Sequence, residues 1–151
     1  MDEKITLSGV PETMLQTIYA RAKESKDRGA IHDKKAEEII GKLNYDFSLA
    51  DKDAPMHSGV IAKTIVLDKL VSEYLAKNPG ATAVNIACGL DTRCYRMAGF
   101  KHWYNPNMPE TIAVREKLLP ESGNITQIAM SEMDDWGQNG RGESNSCPYN
   151  H

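Results

Sequence analysis

Apolar positions in the first half of the chain recur at helical spacing. Met14, Leu15, Ile18, Tyr19 and Ala22 mark one face of a helix, predicted from near Pro11 to about Ser25. Asp33 stands where an N-cap belongs, ahead of a second helix whose apolar side is Ala36, Ile39, Ile40 and Leu43. A third helix is expected from about Ser58 to Lys77, with Val60, Ile61, Thr64, Leu67, Val71, Tyr74 and Leu75 turned inward. Asn78-Pro79-Gly80 stops it. The pattern then changes to short apolar runs. Ala83-Val84-Asn85-Ile86-Ala87-Cys88 ends at Gly89 and reads as a strand buried on both faces. A short helix is expected over Thr92–Ala98, a second strand at His102–Asn105 with Trp103 and Tyr104 in the core, and a helix from Pro109 to about Leu118. Ile125 to Met130 reads as a third strand. This alternation predicts a parallel α/β sheet.

From Gly137 to Ser146 no apolar side chain is offered to a core, so 137–151 reads as a polar, disordered tail. The expected organisation is a helical cap over 1–78, an α/β domain over 79–136, and that tail.

Composition narrows the picture. The chain has 151 residues, one domain's worth, and a formal net charge of −3, so no basic field exists to attract nucleic acid. No apolar run approaches the roughly 20 residues of a membrane span. The polar start Met1-Asp2-Glu3-Lys4 does not read as a signal peptide. Cys88, Cys94 and Cys147 show no C-x-x-C spacing and read as reduced thiols, which points to a cytoplasmic protein. His32, His57, His102 and His151 lack metal-ligand spacing, and Asp51-Lys52-Asp53 lacks the glycine and distal glutamate of a calcium loop.

Candidate chemistry lies at the end of the first strand, where open parallel sheets bind ligands. Gly89 reads as a point of close backbone approach that a side chain would block. A dinucleotide site wants G-x-G-x-x-G, and only one of those glycines is present. That argues against a dehydrogenase and leaves a lone glycine, which by itself also fits a plain turn.

Longer strings carry more. Val84-Asn85-Ile86-Ala87-Cys88-Gly89-Leu90-Asp91-Thr92-Arg93 resembles the first motif of the leucine carboxyl methyltransferase family and its relatives, the polyketide O-methyltransferases. Trp103-Tyr104-Asn105-Pro106-Asn107-Met108-Pro109-Glu110-Thr111-Ile112, followed by Arg115, and the front segment Glu12–Leu15 through Tyr19–Ala22 resemble that family too. The resemblance runs from about Pro11 to Trp136. It implies a Rossmann-like class I methyltransferase fold with an N-terminal helical cap, and S-adenosylmethionine as cofactor. It implies further that Gly89 lies against the cofactor's methionine portion, that Arg21 and Lys63 stand near its carboxylate, and that Asp134 approaches the adenine. Asp91 and Arg93 are expected to brace the turn. Away from the resemblance, Arg21 reads as a solvated surface charge and Lys63 as a lysine snorkelling from an amphipathic face.

The sequence departs from the family pattern in two places. Asn107 stands where the family carries an acidic residue for the ribose hydroxyls, and the lost charge assistance costs about 1–2 kcal/mol, roughly tenfold in affinity. The resemblance also stops at Trp136, before a fourth strand, so a truncated or frame-shifted chain is expected, its sheet incomplete with the first three parallel strands only. The first strand would then be an apolar edge, open to self-association. Two readings follow: an O-methyltransferase acting on a carboxylate or hydroxyl of a small molecule or protein terminus, and an inactive fragment or partner-binding module of the same fold.

Overall fold

A computed structural model of the chain describes residues 3–8, 10–119 and 121–130. The first helix, α1 (Glu12–Asp27), follows Pro11 and turns Leu15, Ile18 and Ala22 inward, the three-and-four spacing of a buried stripe. It closes at Gly29, where φ is +71° and the amide donates to the Glu24 carbonyl at 2.7 Å. Asp33 caps α2 (Lys34–Lys42), its Oδ1 accepting from the Ala36 amide at 3.0 Å. A short helix, α3 (Ser48–Lys52), was not anticipated from the sequence.

The long helix α4 (Ala54–Lys77) begins four residues before the expected Ser58. Asp53 caps it by accepting from the Met56 amide at 3.0 Å, and Pro55 fits its first turn. Its inward positions are Ile61, Thr64 and Leu75, whereas Tyr74, expected inside, is 61% exposed.

The α/β half contains β1 (Ala81–Val84), β2 (Phe100–Asn107), helix α5 (Pro109–Leu118) and β3 (Ile125–Ala129). All three strands are parallel, in the order β1-β2-β3. Trp103 and the Ile125 opposite it are buried on β2 and β3, while Tyr104 is only partly covered. The helix expected over Thr92–Ala98 is a single 3-10 turn, Arg93–Tyr95.

The first strand differs most from expectation. It starts at Ala81, not Ala83, and regular pairing ends at Val84, although the amides of Asn85 and Ala87 still reach the carbonyls of Tyr104 and Pro106 at 2.8 and 3.1 Å. It is not buried on both faces either, since Val84 is 54% and Ile86 67% exposed. Side chains alternate along the strand, and the face that carries Thr82 and Val84 is left uncovered; β1 also has a neighbouring strand on one side only among the described residues.

One apolar core joins the two halves. Leu15 and Ile18 of α1 and Ile39 of α2 pack in the same cluster as Val114 and Leu118 of α5. Leu90, 2% exposed, enters that cluster from the loop after β1. Burying such a side chain is worth about 1.5–3 kcal/mol, so the loop is anchored in the core that the helices build. Among the described residues, no helix is long and apolar enough to cross a membrane.

Candidate functional site

The candidate site is the loop from Asn85 to Thr92, where β1 runs out at the carboxyl end of the sheet. Two of its residues are left-handed: Ala87 at φ +54° and Gly89 at φ +53°. For alanine that conformation costs roughly 1–2 kcal/mol, a strain that the surrounding bonds must hold. Gly89 tolerates it without a Cβ penalty. A Cβ at Gly89 would lie 3.5 Å from the Met14 side chain, an ordinary contact. Backbone conformation therefore calls for glycine here, and the protein's own packing around Gly89 does not exclude a Cβ.

Three successive carbonyls of this loop are held by guanidinium groups. Arg115 Nη1 donates to the Gly89 carbonyl at 3.0 Å and to the Asp91 carbonyl at 2.7 Å. Between them, Arg21 Nη2 donates to the Leu90 carbonyl at 2.9 Å. Asp91 closes the turn by donating its amide to the Cys88 carbonyl at 2.9 Å. Its carboxylate accepts from Asn85 Nδ2 at 2.7 Å and Arg93 Nη1 at 3.0 Å, and Arg93 Nε reaches Asp68 on α4 at 2.8 Å. Asp91 and Arg93 thus brace the turn, as their place in the motif implied.

Behind the loop lies a buried charge network centred on Asp33. Its side chain is fully buried and holds α2 with one oxygen. The other oxygen accepts from Arg21 Nε at 3.1 Å, Arg96 Nη1 at 3.0 Å and Thr92 Oγ1 at 2.5 Å. Arg96 also grips Asp68 through Nε and Nη2 at 3.1 and 3.0 Å. Buried ions on this scale persist only when paired and hydrogen-bonded. Burial pushes the Arg21 guanidinium below its ordinary value, and the charges of Asp33 and Asp91 work against that.

The structure places the expected site residues as follows. Arg21 is 7% exposed, not a solvated surface charge, and it supports the loop from behind through Asp33 and the Leu90 carbonyl. Lys63 is exposed on α4, and no hydrogen bond or ion pair joins it to Gly89, Arg21 or Asn107 among the described residues. Asn107 ends β2, partly buried, and its Oδ1 accepts from the Met108 amide at 2.7 Å, which occupies part of its accepting capacity. Burial raises the neighbouring Cys88 thiol above its ordinary value, with the Asn107 side chain and Arg115 working against that. Asp134, the polar segment 137–151 and Cys147 lie outside the described residues.

Sequence reading assigned no role to Arg115 and saw Asp33 only as a cap. A signal for Arg115 was present, since it shares a buried helical face with Ile112 and Leu118. A cation on an apolar stripe must find internal acceptors.

The leucine carboxyl methyltransferase family model matches residues 14–135. The chain belongs to that family. It is similar to the tetracenomycin polyketide synthesis O-methyltransferase TcmP of Streptomyces glaucescens, with 36% identity over 143 residues, covering 90% of this chain and 52% of TcmP. It is also similar to the S-adenosyl-L-methionine-dependent methyltransferase dpfgK of Gibberella zeae, with 29% identity over 130 residues, covering 78% of this chain and 44% of dpfgK. The chain therefore spans about half the length of these curated relatives.

Proposed function

We propose that this chain carries the cofactor-binding part of an S-adenosylmethionine-dependent O-methyltransferase acting on a small-molecule carboxylate or hydroxyl. The observation that carries the reading is the Gly89 loop, a left-handed turn at the carboxyl end of a parallel sheet, with its carbonyls tied back into the protein and Asn107 beside it. Family membership and the activities named for TcmP and dpfgK support it.

The residues present fit the cofactor's chemistry. S-adenosylmethionine carries no pyrophosphate, so it does not need the glycine-rich cradle that this loop lacks. Asn107 would accept from a ribose hydroxyl with its remaining lone pair, Gly89 would border the methionine portion, Lys63 would serve its carboxylate, and Asp134 the adenine. Arg21 would act through the loop and not by direct contact. The cofactor supplies an electrophilic sulfonium methyl, which passes to an acceptor oxygen while the sulfur keeps the bonding pair. The protein's task is alignment and exclusion of water, the source of most of the rate in such displacements. A carboxylate acceptor needs no general base.

Calorimetric titration with S-adenosylhomocysteine, beside a Gly89→Val control, tests the reading. Saturable binding lost in the control is expected. No saturation at millimolar ligand by a folded chain overturns it.

One observation favours the second reading, a module that binds another protein, here a second copy of itself. Val84 stands exposed on β1, above a groove of about 350 Å³ floored by Leu70, Val71 and Tyr74 of α4. Light scattering after size exclusion tests it, with a dimer expected and a monomer at all concentrations counting against it.

A further inference from the structure

Arg115 is fully buried, and its bonds reach two other parts of the fold, β3 and the loop after β1. Nε donates to Gln127 Oε1 on β3 at 2.9 Å, and Nη1 to the carbonyls of Gly89 and Asp91. Gln127 is itself fixed, its Nε2 donating to the Leu119 carbonyl at 2.6 Å and its amide to Glu121 Oε1 at 2.7 Å. A rigid support from α5 and β3 thus reaches across to the loop after β1. Nη2 has no partner, although it is buried. Leaving a buried donor unpaired is costly, so the side chain is held here for what the other two nitrogens do.

Peptide geometry gives the consequence. None of the peptide bonds is cis among the described residues, so each carbonyl points opposite to the amide of the same peptide unit. With the Gly89 carbonyl drawn to Arg115, the Leu90 amide points away from it. No acceptor among the described residues takes that amide. The next carbonyl, Leu90, is drawn to Arg21, and the amide of its unit is spent on Cys88. Alternate peptide planes are therefore held by two arginines from two helices, α5 and α1, and of the three amides in these units only that of Asp91 meets an acceptor among the described residues.

The geometry points to Arg115 as a positioning residue for the cofactor: it fixes the peptide planes of Gly89 and Asp91, and with them the course of the left-handed turn at Gly89 that borders the ligand. This rests on the functional reading above. It assigns Arg115 no contact with the ligand, and it goes beyond the expectation that basic groups serve the cofactor's carboxylate. A lysine at 115 keeps the charge but offers no planar fork to grip Gly89, Asp91 and Gln127 together.

The test compares the full wild-type chain with Arg115→Lys and Arg115→Ala by two measurements. The first is titration with S-adenosylhomocysteine. The second, made without ligand, is the backbone carbonyl carbon shift of Gly89 and Asp91. Affinity is expected to fall about tenfold or more in Arg115→Lys. Both carbonyl signals should move toward values of unbonded carbonyls, and millimolar guanidinium should restore part of the affinity of Arg115→Ala. Unchanged affinity in a folded Arg115→Lys chain, or carbonyl signals that stay in place, overturns the inference. If the Arg115 variants do not fold, Gln127→Met decides. It removes the acceptor of Nε, together with the donor to the Leu119 carbonyl, and leaves Arg115 itself in place, so weaker binding with the same two signals shifted supports the inference, and wild-type affinity rejects it. A wild-type chain that binds nothing sinks the functional reading. The clamp is then judged by the ligand-free signals alone, and their failure to move in Arg115→Lys rejects it.

Discussion

The two sides of β1 are finished to very different degrees. At its carboxyl end, the loop from Asn85 to Thr92 is bonded to α1, α4, α5 and the Asp33 cap, and Leu90 is sunk in the core. Along its open side, Val84 is 54% exposed beside Leu70 and Tyr74 of α4, at 56% and 61% exposure. The two regions meet at the end of the same short strand. The loop takes its partners from segments spread between Arg21 and Arg115, whereas the edge has no strand to pair with among the described residues. Apolar content alone therefore does not bury a strand; elements packed on both of its faces do.

The contrast predicts a steep ranking of substitutions. Asp33→Ala should have the largest effect, because it leaves Arg21 and Arg96 buried without their shared carboxylate. About 3–5 kcal/mol of stability should be lost, read from urea unfolding. A loss below about 1 kcal/mol would show that the network adds little to the loop's support.

Gly89→Ala should come next, at about 1–2 kcal/mol from its left-handed backbone, with Met14 adding little because the new contact is ordinary. A neutral outcome would mean that the loop relaxes to negative φ, and the contrast with the edge would narrow.

Just past the end of β1, Ile86→Asp should change stability by no more than about 0.5 kcal/mol while lowering any tendency to associate. A loss of several kcal/mol would show that Ile86 is covered in solution.

The smallest effect concerns reactivity. Cys88 and Cys94 are buried, and burial raises both thiols above their ordinary value. At pH 8 each therefore carries less thiolate than a free cysteine, and reaction rises with pH until the raised value is passed, where it levels off. In a Cys147→Ser chain, iodoacetamide should label neither residue quickly until urea is added, as followed by mass spectrometry. Fast labelling of Cys88 would place the loop among the loosely held parts of the molecule.

Much of the frame could be read from the chain because it depends on neighbours three or four residues apart. Asp33 caps α2 through Ala36, Pro109 opens α5, and the Leu15–Ile18–Ala22 stripe faces inward, all as expected. The early start of α4 was missed, although Asp53-Ala54-Pro55 is a local cap signal, because the apolar stripe was followed only from Ser58. The extent of β1 was misjudged for a different reason. An apolar run looks alike whether it lies at the centre or the edge of a sheet, and only strand order separates the two.

By itself, the sequence determined the alternation of helices and strands, the family, and the position of the glycine loop, since each is written in short-range spacing or contiguous motif. Only the tertiary structure decided what the charged residues near that loop do. Arg21 meets Leu90 across 69 positions and Asp33 meets Thr92 across 59. A charge read along a chain can be assigned to solvent, ligand or core with equal ease. Burial settles the matter, because a guanidinium taken out of water must find acceptors, and here the acceptors are the carbonyls of the loop itself.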